Sequence, residues 1–391
     1  MAQISEAFRA IVWSLPGQVR RPHEISKAFG LDKALGWKLG QLIDTTDTIV
    51  AGRHLPGSSA MQIILTAAKK AGVSSELITK AGTAVEQVDD LIRVHAGDRA
   101  TLDAMWAGLI SNSVSADPNL QIEHRRAAFR GNSFTWGIQA GARLISYFWN
   151  NGSDVNTLDL VALTGFVGLR GLRPHVPWTV TRSSITDCDG ELRSVVTRQP
   201  LDPDAATDTV PLIDRFCSKP LPEFRRTSRK PGFVDEEVIV SRSGNTGATT
   251  FFAAEVMRNV TKTIKDEHNQ YCETAAALWT PCETVILDFI VHESVFGPLL
   301  PELQIISELG AAGAFPAHRD DRYALPCSER VTYLGKGHGV LGTPAVPRYS
   351  DLGKYVFERL GWESARFDVY RALVRFPPIP ATIVMRHPLR S

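Results

Sequence analysis

Over the first 112 residues, apolar side chains recur every three to four positions, the spacing that gathers them on one face of a helix. The pattern predicts a helix over Ser5–Ser14 that buries Phe8, Ile11 and Val12 and stops at Pro16-Gly17. Another is expected from Ser59, burying Ile63, Ile64 and Leu65 ahead of Gly72. Thr83 and Glu86 read as a capping box before Val88, Leu91 and Ile92, and Asp98 as the opening of a helix carrying Leu102, Trp106 and Leu109.

Residues 113–131 read as a connector built on a basic amphipathic helix with His124, Arg125, Arg126 and Arg130. The period then changes to two. Phe134, Trp136, Ile138, Ala140, Ala142 and Leu144 line one side of a predicted strand, and similar runs recur at 158–169, 176–182, 233–240, 249–260, 283–292 and 367–376. The Pro-bearing stretches RQPLDPDAATDTVP and KPLPEFRRTSRKPG read as surface loops between them. A late helix is expected over Tyr349–Leu360, stopped by Gly361. The predicted fold class is α+β. Four parts are expected: residues 1–57, a helical support or dimerisation region at 58–112, the connector at 113–131, and a strand-rich sensing or assembly domain at 132–391.

The segment PHEISKAFGLDKALGWKLGQLID carries the most local information. Pro22 suits the first turn of a helix, Ile25 and Phe29 face inward, and Gly30 stands where a left-handed backbone is wanted. Leu31 plugs the corner, Asp32 caps the next helix, and Leu35, Leu39 and Leu42 form its buried stripe. Position by position, these 23 residues resemble the helix-turn-helix of bacterial transcription regulators. The resemblance implies that residues 1–57 bind double-stranded DNA with the second helix in the major groove, its outward residues being Lys33, Gly36, Trp37, Lys38 and Gln41. Arg20, Arg21 and Lys27 add to the same basic patch, which holds five basic against two acidic residues over 20–43. Ser26, where such motifs often carry alanine, and the glycines at 36 and 40 depart from the pattern.

Charge matters because the whole chain cannot supply that patch: 43 basic and 42 acidic residues leave a formal charge of +1. Five cysteines, with no CxxC pair, fit neither a disulfide scaffold nor a thiolate zinc site, and no secretory signal or spanning segment is read, so a cytoplasmic protein without membrane contact is expected. Cys272, Cys282 and His292, with His268 and Glu293 nearby, match no zinc spacing. The glycine runs at 244–247 and 335–339 precede no predicted helix, as a phosphate-cradling loop would; the first reads as a hairpin turn at Asn245-Thr246-Gly247. Asp288 with His292, and Arg371 with Arg375, pair along their strands without forming a nucleophile, base and orienter set. No metal, cofactor or catalytic residue is therefore assigned. The leading expectation is a DNA-binding transcriptional regulator, homodimeric, whose C-terminal domain senses a small-molecule or protein effector. A structural or interaction protein docking through its N-terminal helices, and an enzyme with an unrecognised site in the strand-rich part, are the alternatives.

Overall fold

Gly30 and Gly361, which the pattern places just past helices, both adopt the left-handed conformation there, with φ of 63° and 65°, where a Cβ costs about 1–2 kcal/mol. The computed structural model describes residues 2–15, 21–45, 47, 51–52, 54–111, 118–154, 157–174, 176–183, 198–205, 210–230, 233–240, 242–261, 265, 270–297, 299–309 and 322–389. The chain divides into two compact units, Met1–Gln121 and Ile122–Ser391. It is α+β. Among the described residues no helix is long and apolar enough to cross a membrane.

The first unit contains α1 (Ala2–Trp13), α2 (Pro22–Phe29), α3 (Lys33–Asp44), α4 (Ser58–Lys70), α5 (Ser75–His95) and α6 (Arg99–Ser111). One core runs through it, from Ile4, Phe8 and Ile11 of α1 through Ile25 and Leu39 to Ile64, Val85 and Val88. Asp98 caps α6 by accepting from the Thr101 N–H at 2.7 Å. Two expectations fail here. Thr83 and Glu86 lie inside α5, which instead opens at Ser74, whose hydroxyl accepts from Leu77 N–H; the apolar spacing continues unbroken upstream of Thr83, so no boundary forms there. Ile63 and Leu91 are more than half exposed, because the inward faces of α4 and α5 are taken by Met61, Ile64 and Val88. Pro16-Gly17 lies outside the described residues.

The second unit opens within α7 (Pro118–Trp136), which ends only at Gly137 (φ 72°). Phe134 and Trp136 are therefore exposed helix residues and not the start of a strand: nothing before Gly137 breaks the helix. The strands are β1 (Ile138–Asn151), β2 (Thr157–Gly171), β3 (Val176–Ser183), β4 (Arg198–Pro200), β5 (Glu223–Lys230), β6 (Phe233–Val240), β7 (Thr249–Thr261), β8 (Tyr271–Leu278) and β9 (Cys282–His292). After the short α8 (Glu293–Phe296) come β10 (Glu302–Ser307), β11 (Ala324–Leu325) and β12 (Thr332–Lys336), then α9 (Tyr349–Leu360), β13 (Phe367–Arg375) and β14 (Ala381–Pro388). β4 and β5 fall within stretches read as loops. A strand as charged as EFRRTSRK carries no apolar alternation, yet it pairs with the acidic β6 in a register that sets Arg225 against Glu237 and Arg226 against Glu236.

A seven-stranded sheet, β12-β13-β9-β1-β2-β7-β4, forms the centre. Its strands run antiparallel except for β1 beside β9. One face packs α9 through Leu144, Phe148, Ile286, Ile290, Leu352 and Val356. The other packs the four-stranded sheet β11-β10-β14-β8 and the three-stranded sheet β3-β6-β5 through Ile145, Phe289, Ile305, Ile383 and Val238. β8 is an edge strand, and side chains of β1 reach its backbone: Arg143 Nη1 donates to the Ala277 carbonyl at 2.5 Å and the Tyr147 hydroxyl to that of Ala275 at 3.1 Å. Such capping removes acceptors from an edge open to pairing with another strand.

Candidate nucleic-acid interface

The α2–α3 pair is held by local caps and a turn that the sequence pattern predicts, and by a close helix crossing that it does not. Pro22 occupies the first turn of α2, and the Glu24 carboxylate accepts from the Arg21 N–H at 3.0 Å. Gly30 turns the chain, and Asp32 Oδ1 accepts from the Leu35 N–H at 2.9 Å to start α3. At its far end, α3 is fixed by α1. The Ser5 hydroxyl donates to the Leu42 carbonyl, and Arg9 Nε donates to that of Ile43 at 2.9 Å. A cation at the last carbonyls of a helix also meets the negative end of its dipole.

Gly36 was expected to face outward and is instead buried against α2. A Cβ there would lie 1.9 Å from Ser26 Oγ and 3.1 Å from the Pro22 carbonyl oxygen, and one at Gly40 would lie 3.0 Å from Pro22 Cγ. Ser26 is buried, its hydroxyl donating to the Pro22 carbonyl at 3.1 Å. The serine and the glycine, which look like separate departures from the motif, compensate each other: a hydroxyl fits inside the crossing because position 36 has no side chain. Gly36→Ala is expected to cost about 1–2 kcal/mol net, overpacking outweighing the gain in helix propensity. In a Ser26→Ala background the same change should cost less, since only the contacts of 3.0 Å with the residue 26 Cβ and 3.1 Å with the Pro22 carbonyl oxygen remain. Urea unfolding of the four proteins, followed by far-ultraviolet circular dichroism, measures that coupling. Strict additivity would contradict the proposed fit.

With about 100° per residue, Leu35, Gly36, Leu39, Gly40, Leu42 and Ile43 fill one side of α3, all buried. Lys33, Ala34, Trp37, Lys38, Gln41 and Asp44 fall in the remaining arc of about 140°, exposed except for the half-buried Gln41. Trp37 is 48% exposed and meets His54 edge-on at 5.2 Å. Arg21 and Lys27 are exposed on and beside α2; Arg20 lies outside the described residues. None of Arg21, Lys27, Lys33 and Lys38 forms an ion pair with a described residue. The arc thus presents cations, an amide and an indole, with the Asp44 carboxylate at its last turn, on a helix secured at both ends.

The strand-rich unit assembles no comparable site from the residues weighed in it. Cys282 and His292 stand at opposite ends of β9, and burial pushes the Cys282 thiol up to about 12. Cys272 sits on β8 opposite His387, and His268 lies outside the described residues. Among those residues no group of His, Cys, Asp or Glu is arranged to hold a metal ion. His292 Nδ1 contacts Ser294 Oγ at 2.7 Å as the cap of α8, and its pKa is lowered, first by burial and then by Arg366. Asn245–Gly247 forms a single 3-10 turn leading from β6 to β7, which belong to different sheets, so it is no hairpin turn. The glycines at 335–339 lead into a four-residue 3-10 turn, His338–Leu341.

Asp288 and Arg371 do not pair along their strands. They face each other across β9 and β13, Arg371 Nε and Nη2 donating to the Asp288 carboxylate at 2.8 and 2.7 Å. The Tyr349 hydroxyl donates to the same carboxylate at 2.8 Å and lies 2.6 Å from Ser146 Oγ, while Arg371 Nη2 also donates to the Leu341 carbonyl. Asp288 is wholly buried. This is a closed network with no open position for a substrate. No protein-family model, curated protein or solved structure matches the chain.

Proposed function

We propose that this protein is a DNA-binding transcription regulator in which α2 and α3 form a helix-turn-helix and α3 enters the major groove. The observation that carries the reading is the outward arc of Lys33, Trp37, Lys38 and Gln41 on a helix whose other side is locked into the core. A twelve-residue helix spans about 18 Å, and the groove of B-DNA admits a helix. In this reading Arg21, Lys27, Lys33 and Lys38 contact phosphates, Gln41 hydrogen-bonds a base edge, and Trp37 packs against the groove wall. Two copies related by a two-fold axis would match a symmetric site. The strand-rich unit serves effector sensing or assembly.

Anisotropy of a labelled random duplex, titrated at several salt concentrations with the full chain and with Lys33→Ala/Lys38→Ala, tests this. Binding should weaken steeply with salt, and losing two phosphate contacts should make the logarithmic salt slope shallower by about 2. A second reading, docking of a protein by the same unit, is favoured by the exposure of Trp13, Leu91 and Val94. Absence of duplex binding at low salt would leave that one standing.

A further inference from the structure

Some exposed arginines of the strand-rich unit sit on a carboxylate, Arg225 on Glu237, Arg258 on Asp159, Arg366 on Glu293 and Arg359 on Asp202, whereas others, Arg173, Arg215, Arg242 and Arg330 among them, have no described carboxylate within 4.0 Å. Arg126, Arg130 and Arg375 are equally exposed, and none has a described carboxylate within 4.0 Å. They are also gathered. Arg126 and Arg130 lie one turn apart on α7, and the guanidinium carbons of Arg126 and Arg375 stand 5.1 and 5.5 Å from the centroid of one ring, that of Phe376.

That ring is a fixed platform. Phe376 is 7% exposed, packs on Phe129 of α7 at 5.4 Å, and donates its N–H to the Glu283 carbonyl at 2.9 Å. Its φ of 46° is a conformation that non-glycine residues seldom hold unless their surroundings impose it. The nearest acidic residues by position, Glu123 one turn before Arg126 and Glu283 beside Phe376, pair with none of the three. Cations stacked on aromatic faces keep their charge and their planar donor forks outward. Like charges held together without a counter-charge repel one another, and a polyanion relieves that repulsion while releasing its own counterions.

We infer that Arg126, Arg130 and Arg375 form a second DNA-contacting surface, which takes the phosphodiester backbone of duplex DNA. The inference rests on the reading of the chain as a DNA binder but uses residues remote in sequence from α3, so the two can fail separately. The test repeats the salt titration on the full chain with Arg126→Gln/Arg130→Gln/Arg375→Gln. The slope should become shallower by about 2–3 and the affinity fall about tenfold or more, at roughly 0.9 per phosphate contact. Arg126→Lys/Arg130→Lys/Arg375→Lys keeps the charge and should keep most of the slope. Arg225→Gln/Arg258→Gln/Arg366→Gln removes the same charge from paired sites and should leave the slope as it is. An unchanged slope in the first variant, or an equal loss in the paired-site control, overturns the inference. If Lys33→Ala/Lys38→Ala keeps the full slope while the arginine variant loses it, the α3 reading alone falls; if no duplex binding is seen at all, both do.

Discussion

Asp288→Ala is expected to lower the free energy of unfolding by about 3–5 kcal/mol, a large part of the roughly 5–15 kcal/mol that holds a typical domain together. The size comes from what is left behind. Arg371 is 7% exposed, and without Asp288 its guanidinium keeps, among the described residues, the Leu341 carbonyl and the Tyr349 ring 5.4 Å away but no counter-charge. Burial pushes the Asp288 carboxyl up, and the two Arg371 bonds with the Tyr349 hydroxyl pull it back; three donors on one carboxylate favour the anion, so removing it strands a cation. Replacing both partners, as Asp288→Leu/Arg371→Met, takes away both desolvation costs and should recover at least about 2 kcal/mol of the loss. Urea unfolding followed by tryptophan fluorescence measures both proteins. A single variant that costs under about 1 kcal/mol, or a double variant worse than the single, would show that the network is not sealed as described.

That network also marks where sequence reading stops. Asp288 and Arg371 are 83 residues apart, and a periodic pattern relates each only to neighbours on its own strand. It is the register of β9 against β13 that makes them face each other, and Tyr349 and Ser146 join from α9 and β1. The same limit explains β5, whose charges mean strand only once the acidic β6 lies beside it, and β8, whose run of alanines has weak strand propensity. Signals that act within one turn were legible. Asp32, Gly30, Asp98 and Gly361 each do what their residue type and position predict, because caps and left-handed turns are decided by the local backbone.

The outward face of α3 falls between these cases. The positions of Lys33, Trp37, Lys38 and Gln41 follow from helical periodicity alone, so the candidate residues were readable. Gly36 was misread because glycine in a helix registers only as a propensity cost, whereas its packing role depends on Ser26, ten positions away on another helix. The cluster around Phe376 was invisible for the same reason: α7 and the end of β13 are distant in sequence, and only the folded chain brings Arg126 and Arg375 onto one ring.

His387 gives the second large effect, and its direction is set by burial alone. It is 3% exposed, lies 5.5 Å from the Phe289 ring and 4.8 Å from that of Phe296, and its Nε2 has no hydrogen-bond partner among the described residues. An imidazolium there loses water and gains nothing, so the pKa falls to about 4. The unfolded chain binds this proton near pH 6.5. Stability from the neutral ring is therefore complete above about pH 6.5 and drains away as pH falls toward 4, reaching a total near 3 kcal/mol and changing no further below that. His387→Leu removes both the titration and the unpaired nitrogen at similar volume. Between pH 7 and pH 4 the wild type should lose about 3 kcal/mol more than this variant in paired urea titrations, with the difference accumulating between pH 6.5 and 4. Carboxylates titrate in both proteins alike and cancel in the difference. Parallel profiles across that window would mean that the ring accepts its proton without penalty, and so that the layer between β14 and the central sheet opens to water on acidification.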